Sequence, residues 1–123
     1  MKTPGQYVDG FLLPISPANL PAYREIAELA ATVWMEHGAL QYTECAADDL
    51  STDFCRSFKA TADAGDEETV VFSWAVFADR ESRDAANAKI MADPRIQAMG
   101  VKNEPLFDCK RMAFGGFKVI VSH

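Results

Sequence analysis

Runs of apolar residues, separated by polar and glycine-rich stretches, predict four strands along the chain. The third is the strongest, an almost unbroken apolar and β-branched run. The first ends at Pro14, since proline cannot donate to a strand ladder, and the last contains the pair Gly115-Gly116, which predicts a bulge. The predicted strands cover residues 7–13, 39–46, 69–78 and 112–121.

Two helices are predicted. Apolar residues at three- and four-residue steps indicate one after the first strand, and end signals indicate another after the third strand. The first closes at Gly38, because glycine readily takes the left-handed conformation that ends a helix. Its apolar stripe consists of Leu20, Tyr23, Ile26, Ala27, Ala30, Val33, Trp34 and His37. The second opens at the N-cap residue Asp79 and stops before Pro94. A short helical turn then ends near Gly100, and residues 101–110 are predicted to form a loop.

Residues 48–67 form the longest stretch without a clear period. They are rich in Asp, Ser, Thr, Ala and Gly. This composition predicts a long loop with some local order. A loop of this length is uncommon in a small domain and often acts as a lid or a binding loop.

The element order β-α-β-β-α-β predicts a single α+β domain over residues 1–123. It is the order of the ferredoxin-like fold, in which a four-stranded antiparallel sheet carries both helices on one face. A chain of 123 residues is long enough for one core of ordinary size.

Both faces of the predicted sheet are apolar, whereas an antiparallel sheet usually keeps one polar face. The third strand places Val70, Phe72, Trp74 and Val76 on one face, and Val71, Ala75 and Phe77 on the other, with Ser73 as the lone polar member. Two helices cover one face only, and large exposed apolar patches are uncommon in monomers. A homodimer packed sheet to sheet is therefore predicted. The alternative is a monomer whose own loop 48–67 folds over the free face.

Composition and charge exclude several other classes. Twelve basic against eighteen acidic residues give a net charge of -6, which argues against a nucleic-acid partner because phosphate binding needs a concentrated basic face. No stretch approaches the roughly 20 apolar residues that span a bilayer, and the first residues contain no apolar run typical of a secretory signal. Three scattered cysteines and two histidines indicate neither a disulfide framework nor a zinc site. A cytoplasmic protein without cofactor or metal is expected.

Six distinctive segments, spread over most of the chain, carry a family resemblance. They are YVDGF (7–11), W-x-x-HGAL (34–40), YTECAADD (42–49), ETVVFSW (68–74), NAKIMADPR (87–95) and FDCKRMAFGGF (107–117). Together they resemble the YbaA-like family of bacterial proteins of unknown function. The resemblance is weakest over residues 50–66. It implies the fold of the dimeric α/β-barrel superfamily, which agrees with the predicted layout, and it implies no activity. That superfamily includes cofactor-independent monooxygenases, haem-degrading enzymes and muconolactone isomerases, and none of their catalytic residues carries over to this chain.

His37 is the one internal histidine and lies in the last turn of the first predicted helix. It is either a general base at the mouth of a helix–sheet cleft or a structural residue. In the structural role its ring hydrogen-bonds a neighbour, or its cation complements the dipole at the helix end.

Asp9 and Glu44 are carboxylates inside strands that are otherwise largely uncharged, so both are predicted to be partly buried. They either serve a polar substrate, in binding or proton transfer, or form ion pairs with Lys110, Arg111 or a second copy. Tyr42 and Glu44 alternate onto one face of the second strand, so these two residues are expected to act together.

Four aromatic residues are candidates for a pocket that holds a flat organic ligand, although aromatic residues at such spacings are also common in plain cores. They are Tyr23, Trp34, Tyr42 and Trp74. The first functional hypothesis is a small-molecule enzyme or binder with a helix–sheet pocket lined by these residues and His37. Proton abstraction and cofactor-free oxidation of an electron-rich compound are the reactions it favours.

The second hypothesis is a non-catalytic homodimeric module that serves a partner protein. The polar set of Asp9, His37, Tyr42 and Glu44 distinguishes the two. Convergence of the set on one cavity favours a ligand site, whereas dispersal into ion pairs favours the module.

Overall fold

Four antiparallel strands form one sheet in the order β2-β3-β1-β4 in a computed structural model that describes residues 6–102 and 108–123. The strands are β1 (Tyr7–Ile15), β2 (Gln41–Ala46), β3 (Thr69–Phe77) and β4 (Ala113–Lys118). The helices are α1 (Leu20–Glu36), α2 (Phe58–Thr61), α3 (Arg80–Ala92) and α4 (Pro94–Lys102), and 3₁₀ turns occupy Pro17–Asn19 and Cys109–Arg111. This order and pairing confirm the predicted α+β, ferredoxin-like fold.

The strand boundaries differ from the predicted ones by up to three residues. β1 continues two residues past the predicted stop, and Pro14 pairs with Val70. β4 begins opposite Leu12 and does not run alongside Pro14, so Pro14 has a neighbouring strand on one side only, where a missing N–H is tolerated. β4 is shorter than predicted and ends at Lys118.

The predicted bulge at Gly115-Gly116 is wrong, because both glycines keep a regular register with β1. Position 116 is instead a point of close approach. A Cβ atom there would clash with Arg83 Nη2 and with the end of the Tyr7 side chain, so these side chains would have to shift. α4 also continues past Gly100 into the predicted loop 101–110, of which residues 103–107 lie outside the described residues.

The main core lies between the helices and the inner face of the sheet, which is the face that carries Ala75 and Phe77. These two residues pack with Val33 from α1 and Ile90 from α3. The alternation along β3 places Val71 and Ser73 on the same inner face. The predicted division of this strand into two apolar rows is thus confirmed.

The opposite, outer face of the sheet is covered at one end only. There Leu12 and Val70 pack against Ala62 of the 48–67 segment, whose local order includes α2. Beyond that end Phe72 keeps 45% of its surface exposed and Phe117 keeps 62%. The segment therefore roofs part of the outer face and leaves an open apolar area around these two rings.

Within residues 6–102 and 108–123, no helix has the length and apolar character needed to cross a membrane.

Candidate functional site

A cavity of about 740 Å³ opens between α1, α4 and the inner face of the sheet. Its walls are mostly apolar, with Phe11 and Leu13 from β1, Trp34 from α1 and Ile96 from α4. The 3₁₀ turn at residues 109–111 contributes to its rim. A deep, largely apolar hollow with a few polar groups is the usual form of a small-molecule site.

The polar centre of the cavity is a cluster of two tyrosines and one carboxylate. Tyr23 donates a hydrogen bond to Glu44 Oε1 at 2.6 Å, and Tyr42 donates one to Glu44 Oε2 at 2.5 Å. Tyr42 and Glu44 share the inner face of β2, and Tyr23 reaches them from the second turn of α1. We call these three residues the Tyr–Glu–Tyr cluster.

The electrostatics of the cluster keep both phenols protonated. Burial is the largest cause that raises the pKa of Tyr23 and Tyr42 far above the usual value, and the adjacent Glu44 charge and its hydrogen bonds raise it further. Both tyrosine hydroxyls therefore remain protonated, and able to donate, at all ordinary pH values.

Trp34 forms a side wall of the cavity beside the cluster. Its ring lies 5.6 Å from the Tyr42 ring, at an interplanar angle of 58°. Its indole Nε1 is buried and has no hydrogen-bond partner among the described residues. The wall thus presents a large flat surface that is mostly carbon.

Asp9 lies outside the cavity, in a separate buried cluster between β1 and α3. It is 1% exposed; its Oδ1 lies 3.4 Å from Arg83 Nε, and Asn87 donates to its Oδ2 at 3.4 Å. Burial raises the pKa of Asp9, while Arg83 and Asn87 act in the opposite direction. Predicted burial is confirmed, but the pairing with Lys110 or Arg111 is wrong, because α3 supplies the partner.

His37 also lies outside the cavity lining. It follows α1 directly, and its Nε2 lies 2.9 Å from Asp93 Oδ2 at the start of α4. Asp93 accepts further hydrogen bonds from Arg95, which in turn binds Glu36. The hydrogen bonds from Arg95, followed by the one from His37, lower the pKa of Asp93 well below its usual range. This network ties the end of α1 to α4.

Trp74 belongs to the outer face, because it alternates with the inner residue Ser73 along β3. Its ring packs against Phe72 at 5.5 Å. The predicted pocket lining therefore included two residues, Trp74 and His37, that do not line the cavity. Tyr23, Trp34, Tyr42 and Glu44 do line it.

Sequence reasoning missed three polar residues that line the cavity, Ser73 on its floor and also Asp108 and Cys109. The signal was present, since Ser73 is the single polar residue in the apolar run of β3. Within the described part of the chain, no group of three His, Cys, Asp or Glu side chains stands close enough to hold a metal ion.

Comparisons with known proteins agree on family and fold. The family described as "Protein of unknown function (DUF1428)" matches residues 6–109. Uncharacterized protein YbaA of Escherichia coli K12 is 43% identical over 116 residues, which make up 94% of this chain and 97% of that protein. These matches confirm the resemblance that the six sequence segments indicated.

Two solved structures share the fold at low sequence identity. A dimeric ferredoxin-like protein from an uncultured marine organism has a TM-score of 0.68 at 12% identity and covers 98% of this chain and 100% of its own. SnoaB, a cofactor-independent oxygenase from Streptomyces nogalater, has a TM-score of 0.61 at 14% identity, with 95% of each chain covered. At such identities the likeness establishes the fold alone.

Proposed function

The chain belongs to the DUF1428 family, whose function is unknown, and we therefore propose a function from the site itself. The cavity binds a flat, mostly apolar small molecule through the Glu44 carboxylate. The observation that carries this proposal is the Tyr–Glu–Tyr cluster inside a mostly apolar cavity.

The carboxylate has capacity left for a ligand. An ionised carboxylate offers about four lone-pair sites, and the two tyrosines occupy one on each oxygen. A ligand hydroxyl or amine therefore has an acceptor available at Glu44. Because the tyrosines come from α1 and β2, they fix the direction of this acceptor before any ligand arrives.

The same cluster supports a proton transfer, which is the reaction to test first. A proton moves from the bound hydroxyl to a Glu44 oxygen, and its electron pair stays on the ligand oxygen. The Tyr23 and Tyr42 hydroxyls are placed to donate to the resulting anion. Because a cofactor-independent oxygenase shares this fold, electron-rich phenols are the first compounds to test.

The binding test uses 2-naphthol, a flat aromatic with one hydroxyl, in isothermal titration calorimetry. Replacing Glu44→Gln keeps the side-chain shape but removes the charge, and we expect affinity to fall about tenfold, as for loss of a charged hydrogen bond. Glu28→Gln is the matched control, because Glu28 is exposed on α1, away from the cavity, and pairs with Arg24. Equal affinity in the wild type and the Glu44→Gln protein contradicts the proposal.

The enzymatic form of the proposal has a separate readout. Oxygen uptake with 1,4-dihydroxynaphthalene is measured for the wild type and for Glu44→Gln against the uncatalysed rate. Uptake above the variant's rate supports catalysis. Binding without such oxygen uptake indicates that the chain is a binding protein rather than an oxygenase.

We also propose a homodimer in which a second copy covers the open part of the outer face. The area around Phe72 and Phe117 is apolar, and the chain's own 48–67 segment covers only part of it, with the Phe58 ring 5.8 Å from the Phe72 ring. A dimeric ferredoxin-like protein with a TM-score of 0.68 supports a twofold partner. The second hypothesis, a non-catalytic homodimeric module, uses the same pairing. Two of the four polar residues fit it, since Asp9 pairs with Arg83 and His37 hydrogen-bonds Asp93, and neither lines the cavity.

Light scattering after size exclusion tests the dimer. Phe117→Asp places a charge in the open area. We expect this variant to be a monomer, whereas the wild type is expected to be a dimer of about twice 13.5 kDa. Phe114→Asp is the control, because Phe114 lies on the same strand and is also exposed but points to the inner face. A wild-type monomer at micromolar concentration contradicts the dimer.

Cytoplasmic location is proposed on the state of the cysteines. Cys45, Cys55 and Cys109 are all free and exposed, which fits a reducing compartment. Cell fractionation with a tagged chain tests this, and recovery outside the cytoplasm contradicts it.

A further inference from the structure

Ser73 is a buried polar residue on the floor of the cavity. It is 3% exposed and interrupts an inner row of apolar residues on β3. The remaining residues of this row, Val71, Ala75 and Phe77, are explained by packing, because they belong to the core clusters. A serine in such a row needs another reason, because burying a hydroxyl without a partner costs free energy.

No residue in the described ranges hydrogen-bonds the Ser73 hydroxyl. Most buried side-chain hydroxyls in proteins have a protein or solvent partner. The hydroxyl lies in the wall of the cavity, so its partner comes from whatever fills that cavity. A ligand that displaces solvent there must replace the lost hydrogen bond or bind more weakly.

The place of Ser73 in the sheet puts this hydroxyl beside the Tyr–Glu–Tyr cluster. Glu44 on β2 and Ser73 on β3 are direct cross-strand partners on the inner face. Side chains in such a pair have Cβ atoms about 4.5–5.5 Å apart. The short serine stays at the floor, while the longer Glu44 is held above it by Tyr23 and Tyr42.

We propose that Ser73 and Glu44 together recognise two neighbouring oxygen atoms of one ligand, so that the substrate class is a flat ring carrying adjacent oxygen substituents. This inference rests on the proposed function and adds the specificity of the same cavity. Glu44 only accepts hydrogen bonds, so the oxygen that it faces carries a proton. Ser73 both donates and accepts, so the second oxygen is a hydroxyl or a carbonyl.

The test compares 2,3-dihydroxynaphthalene with 2-naphthol, which lacks the second oxygen. Calorimetry on the wild-type protein is expected to show the diol binding about tenfold more tightly. Ser73→Ala removes the hydroxyl, and we expect the two compounds then to bind within about twofold of each other, because the diol loses its second contact. Thr43→Val is the control, because it removes a hydroxyl from the opposite face of the neighbouring strand.

A loss of ligand binding caused by misfolding is distinguished from the loss of a ligand contact. Ser73→Ala deletes a buried hydroxyl that has no described protein partner, so its melting temperature is expected to equal or exceed that of the wild type. Circular dichroism and melting are recorded on the same samples.

The two proposals fail in different ways. If 2-naphthol binds through Glu44 but Ser73→Ala retains the diol preference, the role of Ser73 is overturned and the proposed function stands. If neither compound binds in a manner that depends on Glu44, both are overturned.

Discussion

Gly116 shows how a single backbone position supports a buried charge. The Tyr7 hydroxyl accepts a hydrogen bond from Arg83 Nη2 at 3.1 Å, and the guanidinium also lies 4.7 Å from the centre of the Tyr7 ring. The same guanidinium faces the buried Asp9. The space over Gly116 holds both side chains, so any Cβ there must displace one of them.

Gly116→Ala is therefore expected to lower the free energy of unfolding by about 2 kcal/mol, since shifting Arg83 leaves Asp9 buried without its counter-charge. Chemical denaturation with urea measures the loss. Gly115→Ala is the matched control, because a Cβ there meets only the Phe117 ring, at an ordinary distance of 3.6 Å. Equal loss in both variants contradicts the close-approach explanation.

His37 is expected to act in stability rather than in ligand binding. His37→Ala removes the hydrogen bond to Asp93 and is expected to cost on the order of 1 kcal/mol, or roughly 4 °C in melting temperature. Its affinity for 2-naphthol is expected to match the wild type, because His37 does not line the cavity. Lost affinity with unchanged melting would instead support a functional histidine.

At the scale of elements, the Glu68–Arg111 pair joins the segment before β3 to the 3₁₀ turn at the cavity rim. Arg111 donates to both carboxylate oxygens of Glu68, at 2.7 and 2.8 Å, and to the Asp63 carbonyl. The side-chain hydrogen bonds from Arg111, followed by the Gly65 N–H, lower the pKa of Glu68 to about 2. The turn is thereby fixed against the covered end of the sheet.

This pair predicts an acid dependence of stability. The pKa of Glu68 is lower in the folded chain than in the unfolded one, so its contribution is present above about pH 4.5 and is lost as the pH falls towards 2. Between pH 5 and pH 3 the urea midpoint of the wild type is expected to fall faster than that of Glu68→Gln. Glu67→Gln, at an exposed neighbouring site, serves as control and is expected to follow the wild type.

For the whole molecule, the open outer face predicts that folding and association are coupled. If a second copy covers Phe72 and Phe117, the melting temperature rises with protein concentration, because dimerisation stabilises the folded state by mass action. Scanning calorimetry over a hundredfold range of concentration measures this. A melting temperature that does not change over the range contradicts a stable dimer.

Much of the candidate site was accessible from the sequence because it depends on local spacing. Tyr42 and Glu44 stand two residues apart on a strand, and this spacing alone places them on one face. Tyr23 and Trp34 belong to one helical stripe, so their common direction also follows from the period. Ser73 was visible only as an exception in an apolar run, and the run does not reveal which exceptions matter.

The sequence by itself determined the element order, the fold and the two apolar rows of β3, because periods of two and of three to four residues are properties of neighbouring positions. Only the tertiary structure decided which partner each buried charge takes. Arg83 reaches Asp9 from 74 positions away along the chain, and Asp93 reaches His37 from 56. Such pairs depend on how helices cross the sheet, and no local pattern encodes that crossing.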